Sequence, residues 1–107
     1  MIKLEKRRYL ALKVECEHSL DEHTILNTIH ASIQRLFGEH GASQANIKLI
    51  EYLPEKSQII IGCSHRMLEQ VRASITSIIE VKGTRIALHV VNVSGTLKAL
   101  SKKIPTI

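Results

Sequence analysis

Three histidines and one cysteine, residue types that often bind metal ions, lie close together in the first third of the chain. They are Cys16, His18, His23 and His30. Their spacing fits no closed zinc pattern, and a helix would place His23 and His30 two turns apart, roughly 10 Å along its axis. We therefore expect this chain to bind no metal ion or other cofactor itself.

A second group that could do chemistry is the run Cys63-Ser64-His65, which sets a nucleophile beside a base. Consecutive residues at a strand-to-helix turn point in different directions, and no third group is available to orient the histidine. We predict instead that Cys63 packs in the core, that Ser64 caps a helix and that His65 lies in its first turn. The carboxylates are scattered over separate elements, so paired acid catalysis is not expected either.

The cationic residues carry the strongest signal. The chain has 15 Lys and Arg against 10 Asp and Glu, a net charge of +5, and a pI near 9.5. A surplus of this kind favours a polyanionic partner such as RNA, whose phosphates the side chains would neutralise. The residues predicted to contact RNA are Arg7, Arg8, Arg66, Arg72, Ser94, Thr96, Lys98, Lys102 and Lys103.

Two of these groups have alternative roles. The segment Ser94-Gly95-Thr96 offers backbone N–H groups at a helix start, which suit a phosphate, but a plain helix cap explains the same residues equally well. Arg66 and Arg72 lie six residues apart on one helix, so they would serve adjacent surfaces rather than one clamp. Ion pairs with Glu69 or Glu80 are the alternative role for these arginines.

The elements that must position these residues follow from the apolar periodicity, which predicts the order β-α-β-β-α-β and then a short helix. A polar segment, 42–46, should connect the first helix to the second strand, and Leu97, Leu100 and Ile104 should face inward on the last helix. The predicted elements are strand 9–16, a helix from the capping box of Ser19 and Glu22 to Gly38 and Gly41, strands 47–53 and 58–63, a helix from Ser64 to Gly83, strand 84–93, and a helix opened by Ser94-Gly95-Thr96 and ended by Pro105.

This order predicts one α+β domain over residues 1–107. Two helices would cover one face of a four-stranded antiparallel sheet, as in ferredoxin-like and RNA-recognition-like sandwiches. The third strand has no aromatic residue and the first has only Tyr9. The sheet is thus a poor platform for base stacking, and we expect contacts with phosphates.

The location of the protein is predicted from what its sequence lacks. No window approaches the roughly 18 to 20 consecutive apolar residues that cross a bilayer, and charged residues interrupt the N-terminus where a signal peptide would be apolar. The two cysteines form no C-x-x-C pair and are too few for a disulfide framework. We expect a cytoplasmic protein with reduced thiols and no membrane partner.

Several strings occur in a specific order along the chain. They are Arg8-Tyr9-Leu10, Leu36-Phe37-Gly38-Glu39-His40-Gly41-Ala42, Cys63-Ser64-His65-Arg66 followed by Val71-Arg72-Ala73-Ser74, and Val93-Ser94-Gly95-Thr96-Leu97-Lys98-Ala99-Leu100. From about residue 7 to residue 103, the chain resembles the protein component 2 family of archaeal ribonuclease P, which has eukaryotic relatives. One departure is Gly62, which stands where family members often carry Arg.

The resemblance implies a function and a set of partners. It implies a noncatalytic, cytoplasmic subunit of the ribonucleoprotein endoribonuclease that removes the 5′ leader of precursor tRNA, in which the RNA performs the Mg²⁺-dependent cleavage. The implied partners are the ribonuclease P RNA, precursor tRNA indirectly, and the barrel-shaped protein component 3, in a heterotetramer with two copies of each protein.

Two functions of other classes remain as alternatives. A ferredoxin-like regulatory module that binds a small molecule uses the same scaffold and would have a ligand pocket between protomers. An RNA-free hydrolase would require Cys63, His65 or a carboxylate for activity. The resemblance favours the ribonuclease P subunit over both.

Overall fold

The computed structural model describes residues 6–17, 20–81, 83–98 and 100. Within them, an antiparallel sheet of five strands carries two α-helices, and the strand order is β2-β3-β1-β5-β4. The elements are β1 (Arg7–Cys16), α1 (Glu22–Ala45), β2 (Lys48–Leu53), β3 (Gln58–Ser64), α2 (Leu68–Thr76), β4 (Glu80–Val81) and β5 (Thr84–Ser94), with 3₁₀ turns at Pro54–Lys56 and His65–Met67.

The core lies between the helices and one face of the sheet. In β1 the side chains alternate, so that Leu10, Leu12 and Val14 are buried while Lys13 and Glu15 are exposed. Both helices turn their branched side chains towards this face and also pack against each other. The helix and neighbouring strand residues in the core include Ile25, Ile29, Ile33, Ile59, Ile61, Cys63, Val71, Ile75, Ile86 and Leu88.

The first helix is longer than its glycines suggested. Gly38 does interrupt it, with φ 76° and ψ 175°, but helical structure resumes and continues to Ala45. The predicted polar connection over 42–46 is therefore wrong for most of its length, because Ala42 and Ala45 are buried and hold this turn against the core. The helix ends at Asn46, whose φ of 47° is left-handed. The predicted cap Ser19 lies outside the described residues.

The second helix is shorter than predicted, and a fifth strand replaces its end. Helix α2 stops at Thr76 rather than continuing to Gly83, and Glu80–Val81 pairs with Thr84 and Arg85. Gly83 has a φ of 81° and serves the turn of this hairpin instead of ending a helix. The predicted helix would have included Ile79, which instead follows the end of α2 and is 74% exposed. The sheet accordingly has five strands where four were predicted.

The two helices are also joined by a buried polar contact. The Ser32 hydroxyl donates to the carbonyl oxygen of Ser74 at 2.8 Å and lies 2.9 Å from the hydroxyl of Ser77. The Ser77 hydroxyl donates to the same Ser74 oxygen. These bonds satisfy polar atoms in the helix interface and mark the end of α2.

After β5 the chain begins a helical turn, in which the N–H of Leu100 donates to the carbonyl of Thr96 at 3.1 Å. Leu100 is buried, as predicted, but Leu97 is 42% exposed, so its predicted inward orientation is wrong. A helical turn that follows the end of a strand has only one side facing the core, and Leu100 lies on that side. Ile104 and Pro105 lie outside the described residues.

Candidate nucleic-acid interface

Three strand ends meet at one end of the sheet. In the β1–β3 ladder Arg7 pairs with Ser64, and in the β1–β5 ladder Tyr9 pairs with Ser94. Because both ladders are antiparallel, the first residues of β1 lie between the last residues of β3 and β5. The N–H of His65 also donates to the Lys6 carbonyl at 2.8 Å. We call the residues 6–9, 64–66 and 94–98 the cationic end.

Arg8 joins the two chain termini within this end. Its Nη1 lies 2.6 Å from the point that a Cβ on Gly95 would occupy, so the guanidinium rests against the backbone that follows β5. Lys98 is exposed in the helical turn immediately beyond it. The structure thus brings Arg8 and Lys98 to the same end of the molecule, although 89 residues separate them in the chain.

Arg7 projects from the other face of β1 and crosses the neighbouring strand. Its Nη2 donates to the carbonyl of Asn46 at 3.0 Å. The same Nη2 lies 3.2 Å from the point that a Cβ on Gly62 would occupy, so the absence of a side chain at position 62 leaves space for this guanidinium.

The segment Ser94-Gly95-Thr96 has the geometry of a helix cap. The Ser94 hydroxyl accepts a hydrogen bond from the N–H of Thr96 at 3.3 Å, and Ser94 itself is buried. This bond satisfies one of the N–H groups that begin the turn, which is what an N-cap serine does. Contact between Ser94 or Thr96 and an RNA phosphate stays a prediction.

Arg66 belongs to the cationic end, whereas Arg72 is set back from it. Arg66 is exposed in the 3₁₀ turn after β3 and lines a recess of about 250 Å³. Arg72 is exposed on α2, one helical turn beyond the start of that helix, and no contact within the described residues ties it to the cationic end. Lys102 and Lys103 lie outside the described residues. The other residues lining the recess are Ser43, Gln44, Asn46, Ser64 and Met67.

Within residues 6–17, 20–81, 83–98 and 100, no Asp or Glu forms an ion pair with these cations. Among the described residues, the ion pair present joins His89 to Glu15, with 3.4 Å between Nε2 and Oε2, and it lies towards the opposite end of β1. The ion pairs considered for Arg66 and Arg72 with Glu69 or Glu80 are therefore not formed in this part of the chain. With no carboxylate partner among the described residues, Arg8, Arg66 and Lys98 can meet an external anion.

Lys48 is a further candidate that the sequence reasoning missed. It pairs with Gly62 in the β2–β3 ladder and is exposed, on the same face as Arg7 and Tyr9. Cross-strand partners point to the same side of a sheet, so Lys48 adds its charge beside the Arg7 guanidinium. Nothing in the local sequence around Lys48 reveals this neighbour; only the hairpin register does.

The groups considered for catalysis are not assembled into a site. Cys63 is fully buried in the core, as predicted, and His65 is exposed in a first 3₁₀ turn, also as predicted. Ser64 stands at the N-cap position of that turn but makes no side-chain cap bond, so its predicted capping role is wrong. The described residues contain no group of three His, Cys, Asp or Glu placed to hold a metal ion.

A helix that crosses a bilayer must be both long, with about 18 to 20 residues, and apolar along that length. No helix in the described part of the chain meets both requirements.

The sequence and the fold both match known proteins. Residues 8–105 match the model of the Rpp14/Pop5 family. Ribonuclease P protein component 2 of Methanosarcina mazei is 34% identical over 98 residues, covering 92% of this chain and 83% of that protein. The protein of the same name from Pyrococcus furiosus is 31% identical over 99 residues, covering 92% and 82%.

A solved structure shares the fold. A chain in the cryo-EM structure of yeast ribonuclease MRP superposes with a TM-score of 0.72, covering 96% of this chain and 94% of that one. The sequence identity is 13%, so this match concerns the arrangement of the backbone. It extends over almost the whole chain.

Proposed function

The chain belongs to the Rpp14/Pop5 family, and we propose that, as a protein subunit of ribonuclease P, it binds the RNA of that enzyme through the cationic end and breaks no bond itself. The observation that carries the proposal is the pairing of Tyr9 with Ser94, which gathers cations from both termini at one place. The relatives named ribonuclease P protein component 2 support the identity of the holoenzyme.

The physical role of the cationic end is to neutralise RNA phosphates. Each Lys or Arg that meets a phosphate releases condensed counterions, which gives affinity without reading sequence. Folded RNA packs phosphates closely, so cations placed there favour the compact form and the Mg²⁺ ions that the RNA uses for cleavage. Arg8, Lys98 and Arg7 carry this role in the described residues. Phosphate contacts by Lys102 and Lys103 are part of the same proposal.

The chain itself supplies no catalytic group in this proposal. Cys63, the cysteine of the Cys63-Ser64-His65 run, lies in the core and cannot reach a substrate. The Mg²⁺ ions and the attacking water belong to the RNA, which removes the 5′ leader of precursor tRNA, and this chain meets precursor tRNA only indirectly. We propose no cofactor bound by this chain.

We also propose the finer points of the fold, partner and location. The order β2-β3-β1-β5 supports a ferredoxin-like or RNA-recognition-like platform to which β4 adds an edge strand. The presence of a chain of this fold in ribonuclease MRP supports protein partners as well as RNA. The barrel-shaped protein component 3, in a heterotetramer with two copies of each, is the partner that we propose, in the cytoplasm.

Reconstitution tests the proposal. The chain is combined with a cognate ribonuclease P RNA and the barrel-type partner, and leader cleavage is measured at limiting Mg²⁺. We expect cleavage above that of RNA alone, and we expect Arg8→Ala with Lys98→Ala to lose much of the gain. Lys56→Ala is the control for loss of a single positive charge, because it removes one from the exposed turn at the opposite end of β3.

The salt dependence of RNA binding gives a second readout. With about six phosphate contacts, affinity should fall by roughly three to five powers of ten between 50 and 200 mM salt. Each of Arg8→Ala and Lys98→Ala should reduce the slope by about one, whereas Lys56→Ala should leave it unchanged. An RNA affinity of the unaltered chain that does not change with salt concentration would contradict the proposal.

A further inference from the structure

Tyr9 stands in the open face of the sheet, on the side away from the helices. The chain has three aromatic residues, namely Tyr9, Phe37 and Tyr52. Phe37 lies on α1, and Tyr52 packs against the core with its hydroxyl bonded to the Leu20 carbonyl at 2.6 Å. Tyr9 is therefore the single aromatic side chain that the open face can offer to a ligand.

The residues on both sides of Tyr9 are small. Its cross-strand partners are Gly62 in β3 and Ser94 in β5. The ring atoms Cε1 and Cδ1 lie 3.2 and 3.3 Å from the point that a Cβ on Gly62 would occupy, so one edge of the ring is held against the backbone of β3. Its partner on the β5 side, Ser94, is small, and the ring is half-buried.

Cations surround this ring. Nη2 of Arg7 lies 3.2 Å from the same Gly62 point, beside the edge of the ring, and Lys48 is the partner of Gly62 on its other side. An aromatic ring flanked by Lys and Arg is the arrangement with which proteins hold single-stranded nucleic acid: the ring stacks on a base and the cations meet the adjoining phosphates.

We propose that Tyr9 stacks on one unpaired base of the RNA while Arg7 and Lys48 bind the phosphates beside that base. The inference rests on the proposed function and deepens it, because it assigns a contact with an unstacked nucleotide in addition to the phosphate contacts. Each RNA-bound copy of the chain would hold one such base at Tyr9, since the open face has no second ring to extend the stack.

The test separates stacking from charge. Affinity for the ribonuclease P RNA is measured at several salt concentrations for the unaltered chain and for Tyr9→Phe, Tyr9→Leu and Tyr9→Ala. Stacking requires a ring but no counterion release, so Tyr9→Leu and Tyr9→Ala should weaken binding by about 5- to 150-fold at every salt concentration, with the slope unchanged. Tyr9→Phe should bind like the unaltered chain. Tyr52→Phe is the control at the other tyrosine and should also bind normally.

A spectroscopic signature checks the stack directly. Because the chain has no tryptophan, Tyr9→Trp introduces a single indole. Its fluorescence should be quenched when the RNA is added, and quenching should persist at salt concentrations where complex still forms.

The outcomes distinguish this inference from the proposed function. Normal affinity of Tyr9→Leu and Tyr9→Ala, together with a steep salt slope, overturns the stacking inference and leaves the proposed function intact. A flat slope with weakened Tyr9 variants overturns the phosphate-binding function and the phosphate contacts of Arg7 and Lys48, and supports only the stack at Tyr9. Absence of RNA binding by the unaltered chain overturns both. Tyr9→Leu keeps apolar bulk on the sheet, so the stacking inference can still be tested with this variant if Tyr9→Ala fails to fold.

Discussion

Arg7 donates a hydrogen bond of 3.0 Å from Nη2 to the carbonyl of Asn46, the left-handed residue that ends α1. One of the cations predicted to meet RNA is thus also a structural tie between β1 and the end of the first helix. Carbonyl groups at a helix C-terminus lack partners within the helix, and a guanidinium satisfies one here. The two roles of Arg7 can be separated by substitution.

Arg7→Ala should lower both stability and RNA affinity, whereas Arg7→Lys should lower stability alone. Loss of a hydrogen bond from a charged donor costs about 1.5 to 3 kcal/mol, measured as the free energy of unfolding in denaturant. Lysine keeps the charge, so the salt slope of RNA binding should stay at its original value with Arg7→Lys and fall by about one with Arg7→Ala. Equal stability of all three proteins would show that the bond to Asn46 contributes nothing.

Gly95→Ala should disturb RNA binding without disturbing the fold. The added Cβ would lie 2.6 Å from Nη1 of Arg8, so the guanidinium has to move. It is the far end of a flexible side chain, so we expect unfolding free energy to change by about 0.5 kcal/mol or less. RNA affinity should fall towards that of Arg8→Ala, measured in the same titration.

A double-mutant cycle gives this prediction its control. If Gly95→Ala acts by displacing Arg8, it should have no further effect in a chain that already carries Arg8→Ala. An equal loss of affinity in both backgrounds would mean that position 95 contacts the RNA by a different route.

Gly41→Ala should destabilise the protein although alanine ordinarily favours a helix. Gly41 is buried, and a Cβ there would lie 2.7 Å from the Cβ of Phe37, an atom fixed to the backbone next to the break at Gly38. The backbone would have to shift, and crowding of this kind costs typically 1 to 3 kcal/mol, more than the helix propensity of alanine returns. Thermal unfolding of Gly41→Ala against His40→Ala, an exposed neighbour, tests it. An increase in Tm for Gly41→Ala would show that the turn adjusts freely.

The sequence predicted the parts of the fold that local periodicity determines. Apolar periodicity predicted strand 9–16, which the structure confirms as β1 with Leu10, Leu12 and Val14 buried, and it also predicted the first helix, α1. The end of α2 was misplaced because Ile75, Ile78 and Ile79 fit a continuing helix as well as a helix followed by a strand. Pairing of Glu80 with Arg85 decides between them. The same local window fits both, and the choice depends on β5 pairing with the distant strand β1, which the window does not contain.

The candidate site, too, could be predicted from the sequence only in part. Arg8 and Lys98 were predicted from their charge and position in the sequence, but their meeting at one sheet end depends on the β1–β5 register. Lys48 was missed because its pairing with Gly62 depends on the register of a hairpin, and that register is irregular between Leu49 and Glu51. A register cannot be counted through such an irregularity from the sequence, since one shifted residue turns each later side chain to the other face.

Tyr52→Phe should lower the free energy of unfolding at neutral pH. It should also make that free energy fall less steeply as the pH rises above 10 than it does in the unaltered chain. The Tyr52 hydroxyl donates to the Leu20 carbonyl at 2.6 Å, and removing such a bond costs about 0.5 to 1.5 kcal/mol. Burial, together with the nearby charges of Asp21 and Glu22, raises the pKa of the Tyr52 phenol above its ordinary value of 10.0. The unfolded phenol therefore ionises at lower pH than the folded one. The stability contributed by the neutral phenol is complete below pH 10.0 and is lost as the pH rises through the folded pKa.

Denaturant unfolding at pH 7 and at several values above pH 10 measures this effect. The difference in unfolding free energy between the unaltered chain and Tyr52→Phe should be largest near neutrality and should shrink as the pH rises, because phenylalanine has no proton to lose. Tyr9→Phe is the control for loss of a phenol at neutral pH and should change stability little there. A difference that stays constant or grows above pH 10 would contradict the direction of the pKa shift and would leave the hydrogen bond to Leu20 as the whole contribution of Tyr52.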